Sequence, residues 1–336
     1  MKIISFVIKR LLATIPTLFG LLVLIFTLSR IIPTSPIMVI AGEFSTPAQI
    51  KALEKRYGFD QPLYIQFFNY LKKIYRGDLG VSLRSNRPVI NELKRRLPPT
   101  FELVITATAI AALLGIPLGI IAALKRNSWI DHFLRGFTVA GVAVASFWLG
   151  IMLQLVFSLY LQAFPLGDQM TGAVPPHVTG FMVIDSILAF DGALLLDAIH
   201  HLVLPAVTLC MPGLASFARF TRSGFLGVLQ SDYIVYNQSM GIPKRKIICK
   251  YAFKNAIVAT VSQVGLIFGL LLANTVIVEY IYFWPGLGTY MVDVMLFFDY
   301  EGILGSTLFI GLVFLIINII VDVVQAYLDP RIVEKL

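Results

Sequence analysis

Long apolar runs, nearly free of charge, dominate the chain and are separated by shorter polar and basic stretches. Crossing about 30 Å of hydrocarbon takes roughly 20 helical residues at about 1.5 Å each. Six runs reach that length, at about residues 11–32, 101–124, 137–161, 198–218, 256–282 and 302–327. Hydrocarbon offers backbone amides no water, so each run is expected to be a helix and the fold class to be an all-α membrane protein of six transmembrane helices. The fourth run is expected to be the most broken, with Pro205 and Pro212 inside it and His200 and His201 near one end. The first has the basic start of a signal peptide, yet it is too long and lacks a small-x-small cleavage site, so it reads as a retained span.

Charge then orients the spans. No lysine or arginine falls between Arg135 and Arg219 or between Lys254 and Arg331, although Asp168, Asp185, Asp191, Asp197, Asp293, Asp299 and Glu301 do. Those loops are expected outside, while the loops holding Lys125, Arg126 and Arg135, and then Arg219, Arg222 and the basic stretch after them, are expected in the cytoplasm. Six spans place both termini inside. The loop from Pro33 to Thr100 also lies outside on this count, despite Lys51, Lys55, Arg56, Lys72, Lys73, Arg76, Arg84, Arg87, Lys94, Arg95 and Arg96. Loops beyond about 60 residues cross largely regardless of charge, so the exception is allowed. Within it, "TPAQIKALEKRYG" reads as a helix capped by Thr46 with Pro47 in its first turn, which suggests a small external subdomain. The expected organisation is residues 1–32 as N-terminus and first helix, 33–100 as external subdomain, 101–330 as membrane core with a cytoplasmic loop over 219–256, and 331–336 as cytoplasmic tail.

Composition agrees with lipid as the solvent: 57% of the 336 residues are hydrophobic, 14% are charged, and mean hydropathy is +0.82. The net charge of +8 sits in membrane-flanking loops and the external segment, so it points to the lipid bilayer and predicts no nucleic-acid partner. Cys210 and Cys249 fall in a span and a cytoplasmic loop, poorly placed to pair. His200 and His201, adjacent on a helix, point about 100° apart and do not readily share an ion, so no metal site is expected. No nucleotide-phosphate loop, metal helix or nucleophile elbow occurs, so no catalytic residue and no cofactor is assigned to this chain. GIPLG at Gly115–Gly119 and GLIFG at Gly265–Gly269 suit close helix packing.

The stretch "SDYIVYNQSMGIPKRKIICKYAFKNAI", Ser231 to Ile257, interrupts this apolar chain. Ser231 is placed as an N-cap, Asp232 complements the helix start, and Tyr233, Tyr236 and Met240 share one face. Gly241 ends the helix, and after Pro243 a second one carries Lys246, Lys250 and Lys254 at four-residue spacing. Two readings fit: an interfacial helix lying on anionic lipid, or a docking element whose Tyr and Met face enters a groove in a soluble partner.

Asp232-Tyr233, then Gly241, then Asn255-Ala256 resembles the cytoplasmic coupling motif, the EAA loop, of ABC-importer permeases of the dipeptide, oligopeptide and nickel branch. "VEYIYFWPGLG" (Val278–Gly288), "DY" at Asp299-Tyr300 and "NIIVDVVQAYLDPRI" (Asn318–Ile332) resemble the same branch, as do "YGFDQPLYIQFFNYL", "GDLGVSL", "GIPLGIIAALKRNSWID", "TGFMVIDSI" and "HLVLPAVTL". The likeness covers essentially the whole chain and is strongest to the first permease of a dipeptide importer. It implies the type I importer fold, a homologous second permease as heterodimer partner, two cytoplasmic ATPases that hold ATP and Mg, an external binding protein, and a place in the bacterial inner membrane. It also implies that Asp232, Tyr233, Tyr236, Met240, Gly241, Asn255 and Ala256 form the ATPase-docking loop. Gln238 and Met240 stand where that family often carries positive charge, and Ala259 where it usually has proline.

Polar groups within spans are costly, so Gln263, Asn274, Asn318 and Asp322 are candidate pathway residues. Glu279 is expected to fix the turn Trp284-Pro285-Gly286, with Gly288 following, as a re-entrant loop at the outer face. The expected cargo is a dipeptide or short peptide, with nickel chelates, glutathione and haem as alternatives within the branch. The rival of another class is an ion-coupled secondary transporter using Glu279 and Asp322.

Overall fold

The computed structural model describes residues 2–31, 46–49, 51, 55, 58, 60–82 and 85–328. The tail 331–336, most of 33–59 and the side chain of Ala259 lie outside the described residues. Helices account for the architecture, and the described residues contain no strand beyond one isolated bridge between Val81 and Pro88. In chain order they are α1 (Lys2–Ile31), α2 (Leu63–Tyr75), α3 (Val89–Leu124), α4 (Trp129–Ala143), α5 (Ser146–Leu153), α6 (Met182–Leu188), α7 (Gly192–Leu229), α8 (Asp232–Ser239), α9 (Phe253–Ile281), α10 (Leu287–Leu296) and α11 (Tyr300–Leu328). Five are long and apolar enough to cross a membrane, and a bent pair made of α4 and α5 with its π-helical continuation supplies the sixth span.

The expected weak point is misplaced. Residues 192–229 form one continuous helix through Pro205 and Pro212. The third span is the one that breaks, with its halves at 99° across the extended residues Val144 and Ala145. Each proline deletes one ladder bond, but membrane helices tolerate that where neighbours enclose the freed groups. Here α7 is the most enclosed helix: Leu204, Ala206, Leu209, Leu214 and Phe217 all sit in the main core with α3 and α9. The break at Val144 carries no proline, so periodicity passed over it.

Close approach of α3 to α7 comes from two glycines. A methyl group on Gly115 would lie 2.7 Å from the Leu214 carbonyl oxygen, and one on Gly119 would lie 2.6 Å from that of Ala218. Lipid tails are as apolar as the core, so helices in a membrane are held by such van der Waals fit rather than by hydrophobic exclusion. On α9, Gly265 and Gly269 similarly face Val321 and Phe314 of α11.

The boundary expected at residue 100 falls inside α3, which begins at Val89. The described part of the segment expected outside packs against the spans. Leu79, Val89 and Leu93 share a core with Leu287, Tyr290 and Val294 of α10, and Tyr70 of α2 packs with Leu22 and Phe26 of α1 and Leu304 of α11. Thr46 caps as expected, since its amide donates to Gln49 Oε1 at 2.9 Å and its hydroxyl accepts from the Gln49 amide at 3.4 Å.

Candidate coupling surface and outer turn

At one end of the bundle α7 passes through Ser231 into α8. Ser231 occupies the N-cap position, but its hydroxyl donates back to the Val228 carbonyl instead of accepting from α8. At the other end of α8 the Gly241 amide donates to Gln238 O at 3.0 Å and the Ile242 amide to Asn237 O at 3.2 Å. That pair of bonds is a Schellman stop, which requires a left-handed residue, and Gly241 has φ +71°. The chain then turns through Pro243, a helical turn Lys244–Lys246 and a π-helical turn Ile247–Ala252 into α9.

Burial divides α8 into two faces. Ile234 is fully buried among Ala123, Phe225, Ile247, Ala252 and Ala256, which roots the helix in the bundle. On the outward side Tyr236 and Met240 are 64% and 65% exposed, with Tyr233 and Val235 beside them. Twenty-two residues on, Asn255 donates from Nδ2 to the Tyr233 hydroxyl at 2.8 Å. The two ends of the sequence motif, Asp232-Tyr233 and Asn255-Ala256, are therefore joined in space. Asp232, Gln238, Lys246, Lys250 and Lys254 remain exposed around this face.

An ion pair that sequence reading did not single out supports the same region. Arg222, near the end of α7, donates from Nε and Nη2 to Asp131 of α4 at 2.7 and 2.9 Å. Asp131 is fully buried and also accepts from the Asn127 amide at 3.0 Å, with Arg135 at 3.5 Å. The only available signal was a carboxylate five residues after the basic run Lys125-Arg126 and an arginine ten residues before the start of α8.

At the opposite end, the turn expected at the outer face is built on Glu279. Its fully buried carboxylate accepts from the Gly288 amide at 2.7 Å, the Thr289 amide at 3.2 Å and the Thr100 hydroxyl at 2.6 Å. It thereby sits at the N-terminus of α10, where free amides and the helix dipole favour an anion. Side chains on Gly286 or Gly288 would overlap that carboxylate. Trp284 donates from its indole to Pro99 O at 2.9 Å, so the turn around Pro285 is clamped to α3. Thr100 is the partner that sequence reading missed, 179 residues away.

The four pathway candidates do not gather. Gln263 and Asn274 stand eleven residues apart on α9, about 16 Å along its axis, and Asn274 bonds its own helix at Leu270 O, 2.9 Å. Asp322 pairs with Arg10 of α1 at 3.2 Å, while Asn318 is half-buried one turn before it. His200 and His201 bond different carbonyls, Ala163 O at 2.7 Å and Gly167 O at 2.8 Å, and no metal-ligand cluster occurs among the described residues.

Residues 115–334 match the family described as "Binding-protein-dependent transport system inner membrane component", and residues 3–104 match its N-terminal companion. The chain belongs to that family of transporter membrane components. This permease is 36% identical to the probable D,D-dipeptide transport system permease protein DdpB of Escherichia coli (strain K12), over 93% of each chain. It is also 36% identical to the dipeptide transport system permease protein DppB of Alkalihalophilus pseudofirmus, over 98% of this chain and 99% of that one. The glutathione transport system permease protein GsiC of Escherichia coli O6:H1 matches at 36% over 99% of this chain and 100% of its own. Among solved structures, the inward-facing MetNI methionine ABC transporter superposes with a TM-score of 0.51 at 14% identity, covering 73% of this chain and 96% of that one. The permease thus has the all-helical fold of type I ABC importer membrane subunits and is a multi-pass inner-membrane protein.

Proposed function

We propose that this permease forms, with a homologous second permease, the path by which dipeptides or short peptides enter the cell. The peptide arrives on an external binding protein, and two cytoplasmic ATPase subunits, which hold ATP and Mg, dock on α8 and supply the energy. The observation that carries this reading is the exposed Tyr233, Tyr236 and Met240 face, rooted by Ile234 and stopped by Gly241. Such a short apolar face on a rigid base suits insertion into a groove of a soluble partner. Dipeptide and glutathione permeases at equal identity share a short peptide as named cargo, which supports that substrate class.

Closing of the two ATPases on ATP would draw the α8 helices of both permeases together. Because α8 is locked to α7 and α9, and α7 to α4 through Asp131 and Arg222, the displacement passes to the spans as a rigid-body rotation that alternates access. Both termini lie in the cytoplasm in this reading, and Glu279 keeps the outer turn rigid as the gate moves. The test is ATP-dependent uptake of labelled dipeptide by vesicles holding the assembled transporter, with Tyr236→Ala and Met240→Asp as variants. Loss of ATPase capture and uptake in both, with membrane insertion intact, is the expected result; unaltered uptake would overturn the docking assignment.

A further inference from the structure

Arg30 at the end of α1, Lys55, Lys72 and Lys73 and Arg76 on or beside α2, and the start of α11 enclose a cavity of about 520 Å³. Its five cations face two carboxylates, Asp78 and Glu301. One oxygen of Glu301 is taken by Lys73 at 3.2 Å, and Asp78 accepts from the Gly80 amide at 2.9 Å. Lys55, Lys72 and Arg76 have no ion-pair partner among the described residues. The Tyr70 hydroxyl, on a residue only 6% exposed, lines the same cavity without a hydrogen-bond partner among the described residues. Burial, with Glu301 adding to it, pushes its pKa up, so it stays a neutral donor.

Position identifies the ligand. Two cavity walls are the ends of spanning helices, Arg30 of α1 and Tyr300, Glu301 and Leu304 of α11, so the cavity opens at the level where the bundle leaves the hydrocarbon. The third wall, α2, buries Phe67 and Tyr70 against Phe26 of α1 at ring distances of 5.1 and 6.2 Å. Tyr64 and Phe68 on an adjoining side, and Leu63 at the first turn, are exposed, the pattern of a helix lying in a membrane interface. Exposed cations around a buried hydroxyl, beside exposed apolar rings, match a molecule with an anionic head and apolar tails.

We propose that this cavity binds the phosphate headgroup of an anionic phospholipid whose acyl chains stay in the bilayer beside α1 and α2. Lys72 and Arg76 supply the charge, Tyr70 donates to a phosphate oxygen, and the bound lipid staples α2 to the α1–α11 pair. The site rests on membrane embedding alone; the leaflet follows from the orientation proposed above, and neither the cargo nor the ATPase contact enters it.

The assembled transporter is reconstituted in phosphatidylcholine nanodiscs with and without phosphatidylglycerol, and retained lipid is counted by native mass spectrometry. Phosphatidylglycerol is expected to be retained over phosphatidylcholine. Lys72→Gln with Arg76→Gln is expected to weaken retention by roughly five-fold per charge removed, about 25-fold together. Tyr70→Phe, which keeps the ring packing, is expected to weaken it about two- to tenfold, and Lys94→Gln, outside the cavity, to leave it unchanged. Equal retention of the two lipids, or unchanged retention in the double variant, overturns the proposal. Displacement of the lipid by glycerol phosphate or inorganic phosphate at equal concentration would assign the site to a free phosphate instead. Unchanged lipid retention with lost capture of the external binding protein would assign the cations to protein docking.

Discussion

Replacing Asp131 by alanine should loosen the connection between α4 and α7 on which α8 depends. The substitution removes a carboxylate that meets Arg222 at 2.7 and 2.9 Å and the Asn127 amide at 3.0 Å. Removing one partner of a buried ion pair costs about 3–5 kcal/mol because the other charge is stranded. The Arg222 side chain is 22% exposed, so water reaches part of it, and the expected loss is nearer about 2–4 kcal/mol. At roughly 2 °C per kcal/mol for a long chain, melting of the purified transporter should fall by about 4–8 °C. Asp131→Ala with Arg222→Leu should melt higher than Asp131→Ala alone, since the stranded charge is gone. Peptide-stimulated ATP hydrolysis should fall further than melting in the single variant. An unshifted melting temperature, or a double variant as unstable as the two singles summed, would refute the claim that this pair is a mutually dependent strut.

Glu279→Ala leaves the Gly288 and Thr289 amides without their acceptor, a loss of about 1–3 kcal/mol for each, and the Thr100 hydroxyl with only the Arg96 carbonyl at 3.4 Å; protease cutting near residues 282–286 should appear, and Glu279→Gln should be milder. Gly241→Val forces a branched residue to φ +71°, costing at least about 1–2 kcal/mol locally, so ATPase stimulation should drop in inserted protein while Gly241→Asn keeps more of it. Asp185 is buried, which raises its pKa, but the Thr179 hydroxyl and the amides of Thr179, Gly180 and Val178 outweigh this and hold it below the usual carboxylate range. Its contribution is therefore complete above the unfolded value near about 4 and is lost as pH falls through the lower folded value. Hydrogen exchange at residues 178–181 should accelerate below about pH 4 in this protein, and Asp185→Asn should remove the pH dependence.

Hydropathy made the membrane class and the number of spans legible, because the preference of about twenty residues for hydrocarbon is a local sum that needs no knowledge of neighbours. Turn chemistry did the same for α8, where Gly241 alone fits the left-handed stop. The position of the break was not legible. Proline marks a lost ladder bond, but whether a helix bends depends on what encloses it, and α7 is enclosed while Val144 and Ala145 are not helped by any local signal.

The pairings were equally hidden. Asp131 meets Arg222 across 91 residues, Thr100 meets Glu279 across 179, and Tyr233 meets Asn255 across 22. A charge in the sequence shows only that a partner is needed; which one it finds is fixed by how the helices cross, and that crossing is set by small residues such as Gly115 and Gly119 letting α3 and α7 approach. The sequence by itself therefore determined that the chain is a multi-pass importer permease and that a helix stops at Gly241. Tertiary structure decided which side chains tie that helix to the spans, because those contacts exist only once distant helices are packed.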